Sequence, residues 1–298
     1  MQFGKPAKTI DQQMDLLRDR GLTIADEASA RHHLQHISYY RLRAYWLTLE
    51  QRDANGGHVF LPGTTFDEIL NLYNFDRKLR LLTLDAIERI EVAFRGGWAH
   101  ALALNYGSHG YLDPALYDDR KEYHRRVSSL NSEIARSADQ FIGHYRATYT
   151  DPPLPPVWMV AEILSLGSLS RWYAALNSAT DRNAIARPLG LDETLFVSLV
   201  HHLTVVRNIC AHHARLWNRS FPIALKLPRR PVALAAALNQ AAPKKLYNTL
   251  VMMDYLLTLV APAASWTERL RDLLNTQSPA TLAEMGFPPD WRNRGPWT

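Results

Sequence analysis

Four residues between positions 207 and 213 combine side chains that bind phosphate with side chains that move protons: Arg207, Asn208, His212 and His213. An arginine holds phosphate oxygens through paired, charge-assisted hydrogen bonds. A histidine titrates near neutral pH, so it can accept or donate a proton during a reaction. Arg207 and His212 together suit attack of a ribose 2′-hydroxyl on the neighbouring phosphate, with the arginine stabilising charge on the phosphoryl oxygens. That reaction requires no metal ion or other cofactor, and we expect none.

A helix must position these residues, because the apolar run before them predicts one from Leu191 to about Arg215. On such a helix Asn208 and His212 share a face, and Arg215 falls on the same stripe. Arg207 and His212 are about 140° apart around an ideal helix, so their side chains do not stack directly. Either the long arginine leans toward the histidine, or each residue meets its counterpart from a second subunit.

Simpler roles remain open for each of these residues. Asn208 can be a local hydrogen-bond former, and His213 can satisfy a backbone carbonyl. Arg215 and Arg219 can complement the dipole at the end of a helix. Cys210, the only cysteine, is either a nucleophile or a small buried residue, and it excludes an intramolecular disulfide.

The four histidines in this region form two adjacent pairs, and their spacing does not suit a metal site. His201 and His212 lie on nearly one face but about 16 Å apart along a straight helix, too far to share an ion. Neighbouring histidines point about 100° apart. The segment also lacks a carboxylate ligand, so we predict no metal site; His201 and His202 are expected to be ordinary surface or core residues.

Positive charge is concentrated in the same part of the chain. Residues 194–253 contain eight basic side chains and no acidic one, which leaves 26 of the 34 basic residues against 29 acidic ones elsewhere. Such a patch attracts polyanions, RNA among them, unless it packs on acidic neighbours. The residues expected to bind RNA are His213, Arg215, Arg219, Lys226, Arg229 and Arg230.

Helix-start signals recur along the chain, whereas strand patterns are nearly absent. Thr9 and Gln12 form a predicted capping box, as do Thr65 and Glu68, and the latter opens the longest predicted helix, residues 66–104. Glycines and a proline between residues 55 and 63 mark a loop with room for a short hairpin. Further helices are predicted at about residues 25–36, 41–46, 115–138, 157–175 with an interruption near Gly167, 244–260 and 266–274, with a short one from Pro279.

The composition is that of a globular protein, with 47% hydrophobic and 21% charged residues. No apolar stretch reaches the roughly 18–20 uncharged residues that span a membrane, and residues 1–11 contain no apolar run typical of a signal peptide. We therefore expect a cytoplasmic chain without a membrane partner. We predict one all-helical body over residues 1–298, with a stiff proline-rich connector at 151–156 that is also the alternative domain boundary, and a C-terminal extension at 262–298.

The motif around Arg207 resembles the signature of HEPN ribonucleases, which is an arginine, a polar residue and a histidine after four to six intervening positions. Four residues separate Arg207 from His212, and five separate it from His213. The wider segment 207–218 resembles the Abi-like family of abortive-infection proteins, of the D and F types. Other matching segments within the resemblance, which covers about residues 5–260, are 37–42 with Tyr45 and Trp46, 75–80, 87–95, and Glu162 with 166–170.

The resemblance implies an all-α, HEPN-like helical bundle with additional N-terminal and C-terminal helices. It implies a metal-independent endoribonuclease toxin in phage defence, with Arg207 and His212 as the catalytic pair and Asn208 as the supporting polar residue. It also implies a homodimer whose two Arg/His pairs line one cleft, restrained by an antitoxin protein or a regulatory RNA. Two alternatives stay open: a non-catalytic RNA-binding or RNA-sensing module, and a helical nucleotide-binding or protein-interaction domain.

Overall fold

The computed structural model describes Gln2, Gly4 and residues 6–297, and these are overwhelmingly helical. Fourteen α-helices and one two-stranded antiparallel sheet form within that part of the chain, which confirms the all-α prediction. Lys5, where the resemblance begins, lies outside the described residues. The chain divides into two compact units, whose boundary along the sequence lies between Leu79 and Arg80, and the prediction of a single body stays a prediction.

The first unit holds three helices, the hairpin and the beginning of a long fourth helix. Its helices are α1 (Ile10–Asp19), α2 (Glu27–Ile37), α3 (Tyr39–Trp46) and the first turns of α4 (Phe66–Tyr106), and its strands are β1 (Glu50–Arg52) and β2 (His58–Phe60).

Arg20 is the polar centre of this first unit. Its guanidinium pairs with Glu50, donates to the His58 carbonyl at 2.9 Å and to the Tyr39 hydroxyl at 3.0 Å, and lies 5.4 Å from the centre of the Phe60 ring. One arginine thereby fastens both strands of the hairpin to the helices. The capping box at Thr9 and Gln12 forms as predicted, because each side chain bonds the other residue's backbone N–H.

The second unit contains the rest of α4 and ten further helices, which include the helix that carries the candidate site. They are α5 (Arg120–Arg136), α6 (Gln140–Thr148), α7 (Val157–Ile163), α8 (Leu166–Ala174), α9 (Ala179–Ala186), α10 (Glu193–Ala211), α11 (Val232–Ala237), α12 (Leu246–Val260), α13 (Trp266–Asn275) and α14 (Pro279–Ala283).

Several of these helices differ from the sequence prediction for local reasons. The predicted helix 115–138 begins later, at Arg120, because Asp119 caps it by accepting from two backbone N–H groups. The predicted helix 157–175 is two helices, α7 and α8, because Ser165 accepts from the Ser168 N–H and starts a new one there. The short helices α6, α9 and α11 were not predicted.

Helix α10 is held in the second unit by its aromatic and apolar face. Phe196 packs edge-on against Phe94 of α4 and Tyr173 of α8, with ring centres 5.1 and 5.4 Å apart. Within the described residues, α10 is the one helix long and apolar enough to span a membrane, with a mean hydropathy of 1.3 over its best window. Seven of its side chains are buried inside the unit, as expected for a core helix.

The proline-rich segment 151–156 lies between α6 and α7, inside the second unit, and its carbonyl groups are used as acceptors. The Tyr145 hydroxyl donates to Pro152 at 2.8 Å, and the Tyr111 hydroxyl donates to Pro155 at 2.7 Å. Fixed hydrogen bonds at both ends give this segment one defined path between the two helices.

Candidate functional site

Helix α10 ends at Ala211, four residues before its predicted end, and His212 is its C-cap. His213 adopts the left-handed conformation, with φ of 57°. The N–H of His213 donates to Cys210 at 3.0 Å, and the N–H of Ala214 donates to Ile209 at 2.9 Å. These two bonds are the Schellman pattern that closes a helix, here with a histidine where glycine is usual. A residue with a side chain in this conformation is strained by about 1–2 kcal/mol, so the sharp turn after His212 carries backbone strain.

The early end of α10 corrects the prediction that Arg215 continues the stripe of Asn208 and His212. Arg215 lies past the turn, half-buried, with its guanidinium carbon 5.8 Å from the centre of the Trp217 ring. Its backbone carbonyl accepts from the Arg219 guanidinium at 2.9 Å. Both arginines therefore take part in the packing of the segment that follows α10.

Asn208 and His212 do share the exposed side of α10, one turn apart, as predicted. Arg207 is half-buried, and its guanidinium makes a long hydrogen bond to the Asn208 side chain at 3.4 Å. Across the described residues, neither the Arg207 guanidinium nor the His212 imidazole bonds any other protein group. The predicted catalytic pair therefore consists of two solvent-accessible side chains with no hydrogen bond between them in the described part of the chain.

Helix α8 approaches α10 closely one turn before Arg207. A Cβ on Gly167 would lie 3.1 Å from the Thr204 methyl group and 3.6 Å from a guanidinium nitrogen of Arg171. Glycine permits this approach because it has no side chain. The interruption predicted near Gly167 lies two residues earlier, at Ser165, and Gly167 itself is where the two helices touch.

Lys226, one of the residues expected to bind RNA, lies far from His212. After Phe221, whose ring centre lies 4.7 Å from that of His202, the chain runs back along α10 until the Lys226 N–H donates to Ser198 at 3.1 Å. Ser198 is fourteen residues before His212, which is about 21 Å along a helix. Exposed Lys226 and His201 there border a cleft of about 450 Å³ that also contains the Arg182–Glu193 ion pair. Arg229 and Arg230 follow, also exposed.

His202 is a core residue that fastens α10 to its neighbours. Its Nε2 bonds the Thr249 hydroxyl of α12 at 2.8 Å, and it also bonds the backbone of Ile223. Burial lowers the pKa of His202 to about 4, against the favourable effect of the Ile223 hydrogen bond. Cys210 is likewise buried, at 1% exposure, and its position is that of a packing residue.

Sequence reasoning missed the residues that hold the segment after α10 in place. The buried Trp217 donates from its indole nitrogen to Thr281 at 3.0 Å. The Lys245 ammonium bridges the Asn218 side chain at 3.1 Å and the Glu284 carbonyl at 2.9 Å. Thr281 and Glu284 belong to the C-terminal extension, so that extension supports the candidate site. These partners are distant in sequence, and no local pattern indicates them.

The histidines of α10 are divided between the core and the surface. Nowhere in the described part of the chain do three or more His, Cys, Asp or Glu side chains form a group that could hold a metal ion. A comparison with family models matches residues 32–218 to the family described as Abi-like protein. The match ends at Asn218, directly after Trp217. No curated protein and no solved structure matches the chain.

Proposed function

This chain belongs to the Abi-like protein family, and we propose that it is a metal-independent endoribonuclease that acts as a toxin in abortive infection. The observation that carries the proposal is that Arg207 and His212 are accessible to solvent and have few bonds to the rest of the protein. Both side chains are reachable from solvent, and apart from the long bond to Asn208 neither is engaged by the described protein. Groups that bind substrate, rather than hold the fold together, are expected to be in this state.

In the proposed reaction, the ribose 2′-hydroxyl attacks the adjacent phosphorus and the bond to the 5′-oxygen breaks. The 2′-hydroxyl loses a proton and the departing 5′-oxygen gains one; His212 makes one of these two transfers and solvent water makes the other. Arg207 donates to the phosphoryl oxygens as negative charge builds on them. Asn208 supports the guanidinium through its side-chain oxygen. The products are a 2′,3′-cyclic phosphate and a free 5′-hydroxyl, so atoms balance without a co-reactant.

The separation of Arg207 from His212 favours a composite site in a homodimer. The two residues project about 140° apart from a rigid helix, and the turn at His213 prevents the helix from continuing past His212. In a two-fold dimer the same surface of both copies meets, so His212 of one protomer can face Arg207 of its partner. We include this dimer in the proposal, together with cytoplasmic action and restraint by an antitoxin protein or regulatory RNA.

One observation favours a second candidate, a non-catalytic RNA-binding module. Lys226 lies beside Ser198, about 21 Å along α10 from His212, and basic groups that far apart suit a bound strand even if no bond is cleaved. In that case Arg207 and His212 would contribute to RNA binding, and their few bonds to other protein groups would not indicate catalysis.

Cleavage of a labelled single-stranded RNA in EDTA separates the two candidates. Wild type should cut the RNA and leave 2′,3′-cyclic phosphate ends, whereas His212→Ala should bind the RNA and leave it intact. His201→Ala is the matched control, since it removes an exposed histidine from the same helix. Equal cleavage by wild type and His212→Ala would refute the assignment of His212. Binding without cleavage by any of the proteins would favour the RNA-binding module.

A further inference from the structure

A pocket of about 180 Å³ lies between α5 and the start of α8, apart from the Arg207–His212 site. Three arginines line it, Arg125 and Arg126 from α5 and Arg171 from α8. Ser168, also in its wall, is the third residue of α8, so the pocket lies at the positive end of that helix dipole. Its volume is that of a few water molecules, which suits a single phosphate group better than a whole nucleoside.

Arg126 is the unusual member of this set. Its side chain is only 15% exposed, and two of its nitrogens, Nε and Nη1, are fully buried with no acceptor among the described protein atoms. The third nitrogen lies 3.9 Å from Glu122, beyond hydrogen-bond length. A desolvated guanidinium with two unused donors is costly unless an anion satisfies them.

Two carboxylates also line the pocket, and each is hydrogen-bonded to neighbouring residues of the same wall. Glu122 bonds Arg125 at 3.2 Å, and Glu133 accepts from Ser129 at 3.3 Å and from Ser168 at 3.5 Å. Arg171 donates one nitrogen to Ser168 at 3.2 Å and keeps further donors. The planar donors of Arg126 and Arg171 match the geometry of phosphate oxygens.

We infer that this pocket binds a backbone phosphate of the RNA strand that the proposed function places at Arg207 and His212. Arg171 connects the two places, because its guanidinium and the Thr204 side chain of α10 both lie beside Gly167, one turn from Arg207. The inference rests on the proposed function for the identity of the ligand, and on the cavity and Arg126 for the anion site itself.

The test measures binding, so it is independent of cleavage. Fluorescent single-stranded RNA is titrated in EDTA at several salt concentrations with wild type, Arg126→Gln and Arg136→Gln. Arg136 is the matched control, since it is an exposed arginine of the same helix that bonds only the Ser132 carbonyl. Arg126→Gln should weaken binding about tenfold, and should lower the slope of log affinity against log salt by about 0.7 for a single strand. Arg136→Gln should leave both unchanged.

Melting temperatures of the same variants complete the test. Arg126→Gln removes a largely buried charge whose ion pair with Glu122 is long, at 3.9 Å, and should melt at or above the wild-type temperature, whereas a structural arginine would lower it. If this variant does not fold, Arg171→Gln changes an exposed pocket residue and should also weaken RNA binding.

Unchanged RNA binding by these variants overturns the inference even if His212 proves catalytic. Inorganic phosphate could instead raise the melting temperature of wild type but not of Arg126→Gln, while the two proteins bind RNA equally well. That result would assign the pocket to a free phosphate and would also overturn the inference. Loss of RNA binding in a protein that never cleaves would uphold the pocket and refute the nuclease.

Discussion

The buried imidazole of His202 should make the protein less stable in mild acid, because it gains a proton when the chain unfolds. The imidazole is 1% exposed and bonded to Thr249, and burial holds its pKa at about 4. In the unfolded chain it returns to about 6.5, so between these values the unfolded state binds a proton that the folded state does not. Stability therefore falls as the pH falls from about 6.5 to about 4.

The size of this loss follows from the two pKa values. Their separation corresponds to about 3 kcal/mol when the titration is complete, and about 2 kcal/mol of it is lost by pH 5. For a chain of 298 residues, 2 kcal/mol lowers the melting temperature by about 3 °C. Other groups titrate over the same range, so the informative quantity is the difference between variants.

Urea unfolding at pH 7.5 and pH 5, followed by tryptophan fluorescence, measures this difference. His202→Gln replaces the imidazole with a group that does not titrate, and it should lose about 2 kcal/mol less than wild type over that pH interval. His201→Gln, at the exposed neighbour, should lose as much as wild type. If His202→Gln and wild type lose equal stability, the account of His202 as a neutral, buried imidazole is wrong.

The same titration affects how a pH–rate profile is interpreted. Helix α10 carries both Arg207 and His212, so unfolding in acid would reduce RNA cleavage whatever the protonation state of His212. Comparison of wild type with His202→Gln separates these causes. If His202→Gln loses activity in acid to the same extent as wild type, the loss comes from groups that take part in the reaction. If only wild type loses activity, the loss comes from unfolding.

Three further predictions concern the dimer, the C-terminal support and the helix crossing at Gly167. Arg207→Ala and His212→Ala should each be inactive alone, but an equal mixture of the two should regain about a quarter of wild-type cleavage. Half of the dimers in the mixture contain both variants, and each of these has one intact composite site out of two. If subunit exchange is demonstrated and no cleavage is recovered, each site lies within one protomer. Trp217→Phe should keep the packing but lose the bond to Thr281, lowering the free energy of unfolding by about 1 kcal/mol in urea titrations; an unchanged value would mean that the bond contributes nothing. Gly167→Val should force α8 away from Thr204 and cost about 1–3 kcal/mol in a thermal melt, whereas Gly143→Val, in a helix position with open space around it, should not; equal melting of the two variants would refute the close approach.

The sequence predicted the parts of the fold that short-range chemistry controls. The capping boxes at Thr9 and Thr65 begin helices because their side chains bond backbone groups three residues away. The long helix α4 follows from its apolar spacing, and its observed end is within two residues of the predicted one. Asn208 and His212 share a face because helical geometry requires it.

What could not be predicted depends on tertiary contacts or on rare local conformations. Nothing in the residue type of His213 indicates a left-handed turn, since glycine usually occupies that position. Consequently the predicted helix ran on to Arg215. The return of the chain along α10 depends on Phe221 packing against His202, a contact between distant positions. The charge of residues 194–253 was correctly located in sequence, but its distribution along the helix required the fold.

The geometry of α10 links these observations to the proposed composite site. A catalytic pair built within one helix needs spacing of three or four residues, because only then do two side chains share a face. Arg207 and His212 are five residues apart, and the helix ends at the histidine instead of bending to bring the two together. The helix is also fixed by His202 and Phe196, so it cannot rotate to correct the angle without losing its core contacts. A protomer with this arrangement presents an arginine and a histidine on different sides of a rigid rod, and a second copy related by two-fold symmetry is the simplest source of the missing partner for each.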